Sequence, residues 1–227
     1  MTDTWHFVMT LYGPYMEFPV GMDVVLGPFS VRPSQTGYIE FAVDLEAETP
    51  EEAEEASELA RKALEIAFGQ SLPCHRRKLA DPMGKAREHI ILPLGPVYIG
   101  RELTGEHLSE VEEWWRALRR RAQQQPFNYN EELALLDFEQ AASTLSKFAA
   151  VHLYRCIEQI SKCYGGWENM HRALGTSRQD LAEIDRGRNE CRTAHAADSP
   201  RRYRFNRRKA FEEARKILGK HFGVNIA

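Results

Sequence analysis

The chain lacks most of the features that would place it outside the cell, in a membrane or around a metal. Its four cysteines (Cys74, Cys156, Cys163, Cys191) include no Cys-x-x-Cys pair and no zinc-site spacing. Cys156 and Cys163 fall on one helix face, too far apart along the axis to bridge. Reduced thiols and a cytoplasmic location are therefore expected. No apolar run approaches the roughly 20 residues that span a bilayer. The opening MTDTWHFVMTLYGPY carries an early Asp and no basic leader, so no signal peptide and no membrane association are expected. The first half has no repeat and no glycine-rich phosphate loop, and neither a metal nor a cofactor is expected. A global basic excess is missing too: 30 Lys and Arg stand against 33 Asp and Glu, a net charge of -3.

What remains is an ordinary globular composition, 43% hydrophobic over 227 residues, long enough for two small domains. The first half alternates in pattern. WHFVMTLY and GYIEFAVDLEA predict strands, rich in aromatic and β-branched residues. SLPCHRRKLADPMG reads as loop, followed by a short strand around His89–Leu92. TPEEAEEASELARKALEIAFG predicts a helix capped by Thr49, with Pro50 and glutamates in its first turn and Gly69 at its end. SEVEEWWRALRRRA predicts another, and Trp114 and Trp115 are assigned to a core or an interface. Near QQQPFNYN the pattern changes, which sets an expected boundary between an α+β domain (1–125) and an all-α domain (126–227). In the second half, EELALLDFEQAASTLSKFAAVHLYRCIEQISKCY reads as one unbroken helix up to Gly165-Gly166. A short helix over WENMHRAL follows, then one over 178–195 opened by a Ser177/Asp180 capping box, then a last one over NRRKAFEEARKILGKHF.

Within the third of these helices Arg188 and His195 are seven residues apart. At about 100° per residue they point the same way, two turns apart, with Asn189 beside the arginine. This is equipment for metal-free RNA cleavage. A histidine exchanges protons near neutral pH, a guanidinium holds and neutralises a phosphate, and the RNA 2′-hydroxyl is an internal nucleophile.

Two segments, FAAVHLYRCIEQIS with its Tyr-Arg-x-x-Glu run and RNECRTAH with an arginine, a polar residue and a histidine, resemble the HEPN domain family over roughly the last hundred residues. The resemblance implies an all-α HEPN-like bundle. Arg188 would be the motif arginine, Asn189 its polar neighbour and His195 the motif histidine. It also implies a metal-independent endoribonuclease in a defence or toxin setting, acting as a homodimer, or a non-catalytic dimerisation or nucleotide-binding module.

Between Arg186 and Lys209 the basic residues include Arg192, Arg201, Arg202, Arg204, Arg207 and Arg208, with Tyr203 interleaved and only Glu190 and Asp198 opposed. Cations beside aromatic rings make a candidate RNA-holding segment. The same charges would also serve as a solvated surface paired with EEAEEASE or EVEE, and Arg188 and His195 as cations at a helix end. Cys191 is assigned to packing rather than to a Cys-His pair. Tyr154 and Glu158 are candidate partners of Arg188 or His195. A DNA-binding regulator is the weaker third class, because no helix-turn-helix spacing is present.

Overall fold

Alternation along the first strand separates its two faces. In β1 (Asp3–Tyr12) Phe7 and Met9 are buried while Thr4 and His6 are exposed. Its antiparallel neighbour β4 (Tyr38–Ala47) matches Val43 to Phe7 and Phe41 to Met9, so one apolar face is continuous across the pair. In the computed structural model, which describes residues 3–12, 24–26, 29–33, 38–69, 74–90, 105–144, 148–193 and 205–224, these strands are central in a sheet of six. Its order is β2-β3-β4-β1-β5-β6, with β2 (Val24–Leu26), β3 (Phe29–Pro33), β5 (Cys74–Ala80) and β6 (Ala86–Ile90) all paired antiparallel.

Helix α1 (Pro50–Phe68) packs on β4 and β5 and buries Ala53, Leu59, Ala60 and Leu64. Thr49 caps it by accepting from Glu52 N at 3.2 Å. Helix α2 (Gly105–Gln124) buries Val111, Trp114, Trp115 and Leu118.

Strand β5 corrects the loop reading of the sequence. CHRRKLA has little β-propensity, and pairing on both edges, with β1 and with β6, makes it a strand. Arg77 is accommodated by an ion pair with Glu58 of α1 at 3.3 Å. The turn beyond it is closed by Asp81 Oδ1, which accepts from Met83 N and Lys85 N, with Gly84 in the left-handed region. The strand expected at His89–Leu92 is β6, of which positions 91 and 92 lie outside the described residues.

The chain forms two compact units, Met1–Phe68 with Leu72–Arg119, and Gly69–Ser71 with Arg120–Ala227. The second is mostly helical: α3 (Tyr129–Ser143), α4 (Phe148–Cys163), α5 (Trp167–Leu174), a 3₁₀ turn at Arg178–Leu181, α6 (Ala182–Thr193) and α7 (Arg207–Phe222). Helix α4 is its centre, packing on α3, α5, α6 and α7. Leu153, Cys156, Ile157 and Ile160 are wholly buried there, and Phe138 meets Phe211 edge-on at 5.4 Å.

The unbroken helix expected from Glu131 to Tyr164 is instead two. Ser143 Oγ and Thr144 Oγ1 both donate to Gln140 O, at 3.0 and 2.6 Å, and Thr144 is extended. Hydroxyls bonding back onto the preceding turn compete with the helical ladder and stop it. Helix α3 starts at a capping box that the sequence reading missed, Asn128 with Glu131.

Candidate functional site

Helix α6 carries the Arg188 motif and is fixed from three directions. The Ser177/Asp180 capping box opens the 3₁₀ turn before it, and Lys216 of α7 reaches Asp180 at 2.5 Å. That ammonium, helped by the Ser177 donors, holds the Asp180 carboxyl down at about 2. Glu213 of α7 accepts from Glu183 N and Ile184 N at 3.0 Å, satisfying donors of the first turn of α6. Burial outweighs these donors and pushes the Glu213 carboxyl up. In return, Glu183 Oε1 accepts from Asn206 N, the cap of α7, at 2.8 Å. The third constraint is close approach. A Cβ on Gly187 would lie 2.6 Å from Ala150 Cβ and 2.5 Å from the Phe205 ring, so only glycine lets α6 pack this near α4.

That approach places Arg188 against Tyr154, one turn along α4 from Ala150. The guanidinium carbon sits 3.9 Å from the ring centroid, in cation–π stacking. Tyr154 stacks in turn on Trp167 (5.5 Å), and Trp167 on His171 (6.1 Å), a ladder from α6 through α4 to α5. Arg188 Nη2 lies 3.5 Å from Asp185 Oδ1 and 3.4 Å from Asn189 Oδ1. Its Nε is buried without a hydrogen bond, and the side chain keeps 25% of its surface exposed.

The other sequence-chosen residues are distributed unevenly. Asn189 is exposed on α6 beside Arg188. His195, Arg201, Arg202, Tyr203 and Arg204 lie outside the described residues, and of Arg192 only the helical backbone is described. Arg207 turns inward: Nη2 donates to Ala141 O and Ala142 O, at 3.2 and 2.9 Å, closing the end of α3, and the guanidinium stacks on Phe211. Arg208 is exposed and paired with Glu212 one turn on. Cys191 is buried.

A second polar cluster lies on the α3–α4 pair and was missed by the sequence reading. Asp137 is buried, its side chain 4% exposed; Oδ1 is 3.4 Å from Arg155 Nε and 3.6 Å from His152 Nδ1. Its Oδ2 and the His152 Nδ1 are buried without hydrogen bonds. Burial pushes the Asp137 carboxyl up, against the pull of Arg155 and His152 and with help from the Glu158 charge. The one signal in the sequence was an acid amid the apolar residues of LALLDFEQAA.

A third network is fully bonded. Glu131 accepts from Arg121 Nε and Nη2, Asn128 N and His221 Nε2, all at 2.7–3.0 Å, while Tyr164 donates to His221 Nδ1 at 3.0 Å. Among the described residues no group of three or more His, Cys, Asp or Glu could hold a metal, and no helix is long and apolar enough to cross a membrane. No protein-family model, no curated protein and no solved structure matches this chain.

Proposed function

We propose that the helical unit acts on RNA, as a metal-independent endoribonuclease of the HEPN type working as a cytoplasmic homodimer in a defence or toxin system. The reading is carried by Arg188. Its guanidinium is held between the Tyr154 ring and Asp185 while a quarter of the side chain stays exposed, the state of a cation pre-oriented for a phosphate. In this reading Arg188 clamps the scissile phosphate, His195 moves the proton and Asn189 positions the strand. Arg192, Arg201, Arg202, Tyr203, Arg204 and Arg208 hold the flanking RNA, while Arg207 serves mainly to close α3. The α+β unit supplies recognition or control.

A second reading, a non-catalytic module that dimerises or binds a nucleotide, is supported by the contacts Arg188 already makes to Asp185 and Asn189. Cleavage of a labelled mixed-sequence RNA in EDTA separates the two. The enzyme reading requires activity that disappears in both Arg188→Ala and His195→Ala while helical content persists. RNA or nucleotide binding without cleavage leaves the module.

A further inference from the structure

The Asp137 cluster has the layout of an oriented acid–base pair. His152 turns Nδ1 toward the buried Asp137, and 24% of its side chain is exposed. The carboxylate faces Nδ1 from 3.6 Å, and closing that gap to hydrogen-bond distance when a substrate binds would hold the tautomer that leaves Nε2 able to take a proton. Arg155 approaches the same Oδ1 with Nε at 3.4 Å, and its side chain is 52% exposed. Cys156 and Glu158 are further titratable neighbours of Asp137 among the described residues, the first wholly buried and the second half-buried.

The surface along α4 continues the pattern. Phe148, His152 and Arg155 follow one another at positions i, i+4 and i+7, one stripe of a helix. Phe148 is an exposed aromatic, 46% accessible, and Lys162 is exposed two turns beyond Arg155. An aromatic ring, an imidazole and two cations in line fit a single strand, with a base over the ring and phosphates on the cations.

We propose that His152 and Arg155, anchored on Asp137, form a phosphodiester-binding and proton-transfer site for single-stranded RNA on the outer face of the α3–α4 pair. Arg155 holds a phosphate oxygen. His152 Nε2 takes the proton from O2′, the O2′–P bond forms as the P–O5′ bond breaks, and the imidazolium returns the proton to O5′. The products are a 2′,3′-cyclic phosphate and a 5′-hydroxyl, with no water, metal or oxidant consumed. Asp137 is a positioning residue. This rests on the RNA reading above and competes with its assignment of residues: on α4 the proton transfer belongs to His152, and Arg188 and His195 of the α6 assignment bind the strand without cleaving it.

The test uses the full chain, a fluorescent oligouridylate in EDTA, and its 2′-fluoro analogue, which has no O2′ proton to lose. His152→Gln is expected to bind the analogue like wild type and to cleave about 10²–10⁴-fold more slowly. Arg155→Ala is expected to bind it roughly tenfold more weakly. The near-isosteric Asp137→Asn keeps the shape and is expected to lower kcat about 10²-fold with KM unchanged; an unchanged kcat overturns the positioning role. Cleavage lost in His152→Gln and kept in His195→Ala establishes the α4 site and removes the α6 assignment. The reverse result overturns the inference and leaves the α6 reading standing. A folded wild-type protein that binds neither oligomer overturns both.

Discussion

Gly187 and Ala150 touch where α6 crosses α4, and a methyl group on the glycine would lie 2.6 Å from the alanine Cβ. The contact does more than pack two helices. It sets the distance at which Arg188, the next residue, lies over Tyr154, the residue one turn along from Ala150.

Gly187→Ala therefore forces α6 outward, or forces Phe205 and Ala150 to shift. Helix propensity favours alanine by about 1 kcal/mol, while overpacking costs about 1–3 kcal/mol, so a net loss of stability is predicted. Urea unfolding followed by circular dichroism measures it. Gly175→Ala is the comparison: a Cβ there meets nothing, but the left-handed φ of 57° strains it. That variant should lose stability through the backbone alone and leave Arg188 in place.

Asp180 predicts an acid-labile step. Its carboxyl titrates at about 2 in the fold, below its ordinary 3.8. A depressed carboxyl stabilises the fold above the unfolded value, and that contribution fades as pH falls through 3.8 toward about 2. The side chain is 22% exposed, so after allowance for solvent screening roughly 1 kcal/mol is at stake. Asp180→Asn should lose about that much at neutral pH and be nearly indistinguishable from wild type in strong acid. Denaturant midpoints across the acid range read this directly.

The last turn of α7 predicts a different window. Burial holds the His221 imidazole below its ordinary 6.5, against the pull of Glu131. The fold thus keeps His221 neutral, and its contribution is whole above 6.5 and declines as pH falls through that value toward the lowered one. Between about pH 7.5 and about pH 5.5 wild type should lose more stability than His221→Gln. Glu131→Ala should be far costlier at any pH, about 3–5 kcal/mol, because it strands Arg121 and His221 in a buried site.

Sequence pattern carried the strands with alternating aromatics and the helices with plain caps. Thr49, Pro50 and Gly69 bracket α1, and Ser177 and Asp180 open the turn before α6, all local signals. Features set by distant partners were hidden. CHRRKLA is a strand only because β1 and β6 lie beside it, and the helix break at Thr144 follows from two hydroxyls choosing the Gln140 carbonyl. The site divides in the same way. Arg188 stood out in the sequence because a histidine follows seven residues on within one expected helix. Asp137 and His152 are fifteen residues apart on two helices that turn at a break the apolar periodicity did not mark.

The most direct measurement of the central claim is the chemistry of the RNA ends. Wild-type protein, in EDTA and freed of contaminating nuclease by comparison with an Arg188→Ala, Arg155→Ala double variant prepared identically, is incubated with a defined single-stranded RNA and the fragments are weighed by mass spectrometry. The account predicts 2′,3′-cyclic phosphate and 5′-hydroxyl ends from wild type and intact RNA from the double variant. Intact RNA from both, or the same fragments from both, would contradict it.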